Sequence, residues 1–159
     1  MTNTPDSSVG GDNSNADRAE PAGPEARTGL IRLSQQECAE LLASASVGRI
    51  VFVDDGQPLA LPVNFAWHED TIVFRTGEGQ KLHAATVGQT VAFEVDSIDD
   101  VTHQGFSVIV KGTAREVTDW AEQEQLEQLP VRPWQRQPWR RGWVCIDPSA
   151  ITGRRLDLA

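Results

Sequence analysis

The chain of 159 residues has no tyrosine, one methionine, two cysteines and three histidines. Cys38 and Cys145 lie far apart, so no paired-cysteine metal motif exists, and they read as two free buried thiols in a reducing cytoplasm, with a single disulfide as the alternative. His68, His83 and His103 show no ligand spacing such as His-x-x-x-His, which argues against a structural zinc site. No Ser-His-Asp order or nucleophile elbow is visible, and no evident acid/base pair. An enzyme built on this chain must therefore take its chemistry from a cofactor. No apolar run approaches the ~18 residues of a membrane span. Cationic residues are scarce, 14 Lys and Arg against 23 Asp and Glu, for a net charge of −9. Such a surface repels nucleic acid and anionic membranes, so neither is expected as a partner.

Large apolar side chains are also missing from residues 1–28, where only Val9 follows the initiator Met1 among Ser, Asn, Asp, Gly, Pro and Ala. That segment cannot offset its ordering entropy by burial and reads as a disordered tail. It has neither the basic start nor the apolar run of a secretory signal, so a cytoplasmic protein is expected. Five acidic residues against two arginines give the tail −3 and leave −6 on a single domain over residues 29–159.

Within that domain, Ser34-Gln35-Gln36-Glu37 has the form of a capping box, and Cys38, Leu41, Leu42 and Ala45 form one apolar helix face. This helix is expected to end near Ser46, with Gly48 as its terminator. The period then switches to two. Asp54-Asp55-Gly56 marks a hairpin, and Leu59, Leu61, Val63, Phe65 and Trp67 form the apolar row of the return strand. Pro62 cannot donate to a ladder, which predicts an edge, a bulge or a ligand there. Further strands are expected at Thr71–Arg75, Thr90–Asp96 and Gly105–Val117, with Gly112 as a bulge or kink, and around Trp143–Ile146. Short helices are expected at Gln80–Val87, ending at Gly88, and after Thr118-Asp119. Six or so hairpin-linked strands with short helices fit a mainly β (α+β) antiparallel barrel, not a parallel nucleotide-binding sheet.

The polar point of interest is Phe74-Arg75-Thr76-Gly77-Glu78-Gly79-Gln80-Lys81-Leu82. It lacks a third fingerprint glycine, a βαβ setting and a Walker sequence, which excludes the familiar phosphate loops. A strand end, a tight turn and a helix start nonetheless gather Arg75, Thr76, Gln80 and Lys81, a set suited to a phosphate or another compact anion. A solvated surface turn is the competing reading. Asn64 can meet the edge of a ring cofactor or simply end a sheet. The segment from Arg132 to Trp143, with three tryptophans and four arginines, is either a subunit interface or a loop packed over the barrel.

The order of these pieces resembles a known family. Gly48-Arg49-Ile50, Pro62-Val63-Asn64-Phe65, Phe74-Arg75-Thr76, Gln80-Lys81-Leu82, Val91-Ala92-Phe93-Glu94, Gly105-Phe106-Ser107-Val108, Gly112-Thr113-Ala114 and Ile151-Thr152-Gly153-Arg154-Arg155 follow one another as in the pyridoxamine 5′-phosphate oxidase-like, FMN-binding split-barrel proteins. Within that family they look like the small actinobacterial flavin-binding branch. The resemblance implies a six-stranded antiparallel Greek-key split barrel with short accessory helices, a cytoplasmic homodimer, and FMN held between subunits. It implies that Pro62, Val63 and Asn64 lie along the isoalloxazine ring. Arg75, Thr76 and Lys81 would hold the phosphate, with Gln80 and Leu82 beside them. Phe93 and Glu94 would line the cleft, and Arg154 would come from the partner. Deazaflavin and haem are the alternative cofactors among relatives of this size, and a binding or storage role is the alternative to an oxidoreductase. NADH or NADPH and a small organic molecule are the implied substrates. A residue set gripping pyridoxal phosphate is not found, which argues against the specific vitamin B6 reaction.

Overall fold

The computed structural model describes residues 29–77, 81–131 and 141–156. The predicted tail, Gln80 and the segment 132–140 lie outside the described residues. The elements run β1 (Leu30–Arg32), α1 (Gln35–Ser44), β2 (Val47–Asp54), β3 (Gln57–His68), β4 (Thr71–Gly77), α2 (Lys81–Thr86), β5 (Thr90–Ile98), β6 (Gly105–Glu116), α3 (Trp120–Leu126) and β7 (Arg141–Leu156).

All strand pairs are antiparallel, in the order β1-β7-β4-β3-β2-β5-β6, and β6 also pairs with β7. That last pairing closes six strands into a barrel and leaves β1 as a short addition on the end of β7, where Leu30 pairs with Leu156. The neighbours β4 with β7 and β2 with β5 are distant in sequence. The expected six-stranded barrel with short helices is therefore present, with β1 as an extra strand that its three residues do not announce.

Local signals set the element ends. Ser34 caps α1, its hydroxyl accepting from the Glu37 amide while the Glu37 carboxylate accepts from the Ser34 amide at 2.8 Å. Those bonds hold the Glu37 carboxyl below its ordinary value. The box therefore contributes at neutral pH and is lost on acidification, as the carboxylate protonates. The Asp55-Gly56 and Glu69-Asp70 turns both have two positive φ angles, the geometry that matches the twist of a two-residue hairpin.

The helix ends earlier than expected, at Ser44 with Ala45 as its cap, and Gly48 lies inside β2. Its role is tertiary: a Cβ there would sit 2.4 Å from Phe93 Cε1 and 2.8 Å from the Glu94 carbonyl oxygen. Gly48→Ala is expected to cost about 1–3 kcal/mol by overpacking, read from the midpoint of a denaturant titration. The register between β6 and β7 shifts between Lys111 and Gly112, at the expected position, but the extra residue is Ser149 of β7: Lys111 pairs with Ala150 and Gly112 with Pro148. The shift lets β7 run unbroken for 16 residues through Asp147-Pro148-Ser149, which by sequence looks like a turn.

Two apolar clusters follow from the alternation. Ile50, Phe65, Ile72, Phe74, Phe93, Val108, Val110 and Ile146 fill the barrel. Val73, Val117, Leu126, Val131, Trp143 and Cys145 form a second cluster. Alternation along β4 and β7 places this second cluster on the outside of that wall, which α3 covers through Leu126. Both thiols are free and buried. Burial pushes the Cys145 thiol up to about 11, so it stays protonated and unreactive.

Candidate functional site

The site is set by where β3 leaves β4. Their last rung is Phe65 with Phe74, both inside the barrel. Asn64 and Arg75 come one residue further along each strand, so both face outward where the strands part. Among the described residues β3 from Gln57 to Asn64 pairs only with β2, and Pro62 sits in that single-neighbour stretch opposite Arg49. The edge predicted from the proline is real. Its consequence was not predicted: Leu59 and Leu61 are exposed while Val63 and Phe65 are buried, because the hairpin extends past the barrel.

Register collects several expected residues on one outer face. Pro62 pairs with Arg49, Arg49 with Glu94, Glu94 with Ile109, and Ile109 with Thr152. Directly paired residues share a face, so Pro62, Arg49 and Glu94 form one row. Two residues along each strand, Asn64, Val47, Asp96, Ser107 and Arg154 form the next, with Asn64 opposite Val47 and Ser107 opposite Arg154. Arg49 forms an ion pair with Asp96 across these rows. Val47, Val53 and Ile109 leave large apolar area open on the same face.

Other expected residues fall elsewhere. Val63 and Phe93 are buried inside the barrel, and the Phe93 ring packs edge-on to Phe65 at 4.8 Å between centroids. Leu82 packs from α2 against the barrel core. From Val63 and Phe93 the outer face can thus receive backbone, not side chain. Lys81 opens α2, one residue after Gln80. Arg154 lies at the far end of its row beside Ser107 and Arg32, away from Arg75 within one chain.

Arg75 and Thr76 are not side by side, since neighbours in an extended strand point to opposite faces. Thr76, by alternation with Ile72 and Phe74, is on the barrel side; it is 4 % exposed, and its hydroxyl has no partner among the described residues. Arg75 is on the outer side. Its guanidinium stacks 4.2 Å from the Trp143 ring centroid and is ion-paired with Glu127, and its Nε is buried with no hydrogen-bond partner among the described residues. The Trp143 indole N–H also donates to Glu127 Oε1, at 3.2 Å. Of the expected interface segment, Trp143 is thus a packed residue of β7. Nearby, His83 Nε2 lies 3.3 Å from Glu116 Oε1 but outside hydrogen-bond direction. Glu127, Glu116 and His83 carry no local motif that would have singled them out.

A separate cavity of about 230 Å³ opens beside α3, lined by His68, Glu69, Arg115, Glu122 and Cys145 among others. Arg115 spans it with bonds to Glu122 at 2.7 Å and Asp147 at 3.0 Å, so its charge is already matched. No group of three or more His, Cys, Asp or Glu among the described residues is arranged to hold a metal ion. No helix among them is long and apolar enough to cross a membrane.

Fold and site together define a split-barrel protein with a half-buried, incompletely satisfied arginine where two barrel strands separate. The chain belongs to the pyridoxamine 5′-phosphate oxidase family, whose model matches residues 34–155. It is 33% identical over 140 residues to an uncharacterized Mycobacterium tuberculosis protein, covering 85% of this chain and 91% of that one. Among solved structures it is similar to the FAD binding protein from Mycobacterium smegmatis, with 40% identity, a TM-score of 0.69, and 79% of this chain and 99% of that chain covered. A candidate pyridoxamine 5′-phosphate oxidase from Corynebacterium glutamicum is similar at 32% identity and a TM-score of 0.70, covering 82% of this chain and 95% of that chain. The fold is thus that of flavin-binding split barrels.

Proposed function

We propose that this protein is an FMN-binding oxidoreductase that acts as a cytoplasmic homodimer. The observation that carries the reading is Arg75. A guanidinium whose buried Nε has no partner among the described residues stands where β3 and β4 part, beside the outward-facing Asn64, in a family with flavin-binding members. An orphaned buried donor is costly unless a ligand satisfies it, and a phosphate oxygen is a strong acceptor for it. The Thr76 hydroxyl, without a partner among the described residues, faces the barrel interior and stands apart from this anion site.

In this reading Arg75 binds the phosphate from the outer face at the end of β4, with Gln80 and Lys81 as further donors, while Thr76 offers that face only its backbone. Pro62, Asn64 and Glu94 lie on the open outer face, with the backbone of Val63 and Phe93, where a flat ring can rest. The exposed Val47, Val53 and Ile109 meet a second copy, and Arg154, remote from Arg75 in its own chain, serves the other subunit's cleft. Bound there, the flavin supplies hydride or electron transfer, from NADH, NADPH or a small organic donor to a small acceptor. The protein's own contribution is to bind, orient and exclude water.

The test is spectroscopic. The purified protein, or the apoprotein titrated with FMN, is expected to show the near-ultraviolet and blue bands of bound flavin and to be reduced by NADH or NADPH. A colourless protein that takes up no FMN overturns the proposal. Bound flavin that neither a nicotinamide nor a small organic donor reduces leaves a storage protein instead, a deazaflavin spectrum changes the cofactor, and a Soret band would replace flavin by haem.

A further inference from the structure

Glu127 forms the C-cap of α3, and its carboxylate lies over the outer face of β4. One oxygen, Oε1, accepts from both Arg75 Nη2 and Trp143 Nε1, while the Arg75 guanidinium stacks on the Trp143 ring. Three groups thus close a triangle: a cation, the aromatic face beneath it, and an anion that touches the edges of both. Their exposures differ. The Arg75 side chain is 15% exposed and the Glu127 side chain 55%. The carboxylate can swing into water at little cost; the guanidinium, held by the indole, cannot follow.

We infer that Glu127 occupies the seat on Arg75 that a ligand phosphate takes, so that the phosphate binds by displacing this carboxylate. The inference rests on the flavin reading given above. Two anions crowded on one half-buried cation repel each other, and a phosphomonoester dianion holds a guanidinium fork more strongly than a carboxylate does. The exchange also gives the buried Nε an acceptor that the Glu127 pair leaves it without. Glu127 therefore sets how tightly phosphate-bearing flavins bind and has no effect on a flavin without phosphate. It is a residue that tunes specificity through Arg75, not one that touches the reacting ring.

The full-length protein freed of flavin is titrated with FMN and with riboflavin, for the wild type, Glu127→Gln, Arg75→Ala and the double variant. Glutamine keeps an acceptor for Arg75 and Trp143 and removes only the charge. E127Q is expected to tighten FMN by about three- to fivefold, the weight of a partly exposed ion pair, with riboflavin unchanged within about 1.5-fold, and to add nothing in the R75A background. If E127Q leaves FMN unchanged or weakens it, or shifts riboflavin equally, while R75A still weakens FMN selectively, the displacement inference fails and the flavin site stands. If R75A binds FMN as the wild type does, Arg75 holds no phosphate and both readings fall.

Discussion

Arg75→Ala is expected to weaken FMN by about ten- to hundredfold, with riboflavin moving by less than about threefold. Hydrogen bonds to a charged group contribute about 1.5–3 kcal/mol each, and every 1.4 kcal/mol is a factor of ten. The contrast between the two ligands matters more than the size of the loss. Arg75 also stacks on Trp143 and pairs with Glu127, so its removal disturbs the outer cluster as well. The stacking is worth roughly 0.5–2 kcal/mol, and the pair with a half-exposed carboxylate adds little. A general loosening would weaken both ligands in parallel; loss of a phosphate contact weakens FMN alone. Equal binding by isothermal titration would remove Arg75 from the site.

Phe93→Ala is expected to lower the free energy of unfolding by about 3–5 kcal/mol, the usual cost of truncating a buried phenylalanine. Phe93 is fully buried, packs on Phe65, and its ring fills the space that the bare backbone of Gly48 leaves open. Alanine would open a cavity at the junction of β2, β3 and β5. Glu94, its neighbour, faces the other way, toward the proposed ring site, so flavin affinity of the folded fraction should change only through softening of that wall. Thermal or denaturant unfolding checks the first part. A loss under about 1 kcal/mol would mean that the barrel interior is not packed around this ring.

The resemblance grouped Phe93 with Glu94 on one cleft-lining strand. The strand assignment was legible, because Val91, Phe93 and Val95 alternate with polar or small neighbours. That alternation also puts Phe93 and Glu94 on opposite faces. The same parity separates Arg75 from Thr76, which as sequence neighbours read as one pocket. Asn64, Pro62 and Glu94, spread over 33 positions, share an outer face because the β2 ladders bring their strands together. No one-dimensional spacing carries that information.

What the sequence by itself determined is local: the Ser34–Glu37 box, the Asp55-Gly56 turn, the break at Gly112 and the period-two runs of a mainly β chain. Each depends on groups within a few residues of one another, or on a pattern that any strand shows. What only the tertiary structure decided is which distant groups meet. Gly48 is a glycine because Phe93 lies against it, β7 continues past Pro148 because one extra residue, Ser149, takes up the register shift against β6, and the charge on Arg75 is answered by Glu127 at the end of α3. Side-chain chemistry is written in the chain, but the partner that satisfies or competes with it is chosen by strand register and helix placement.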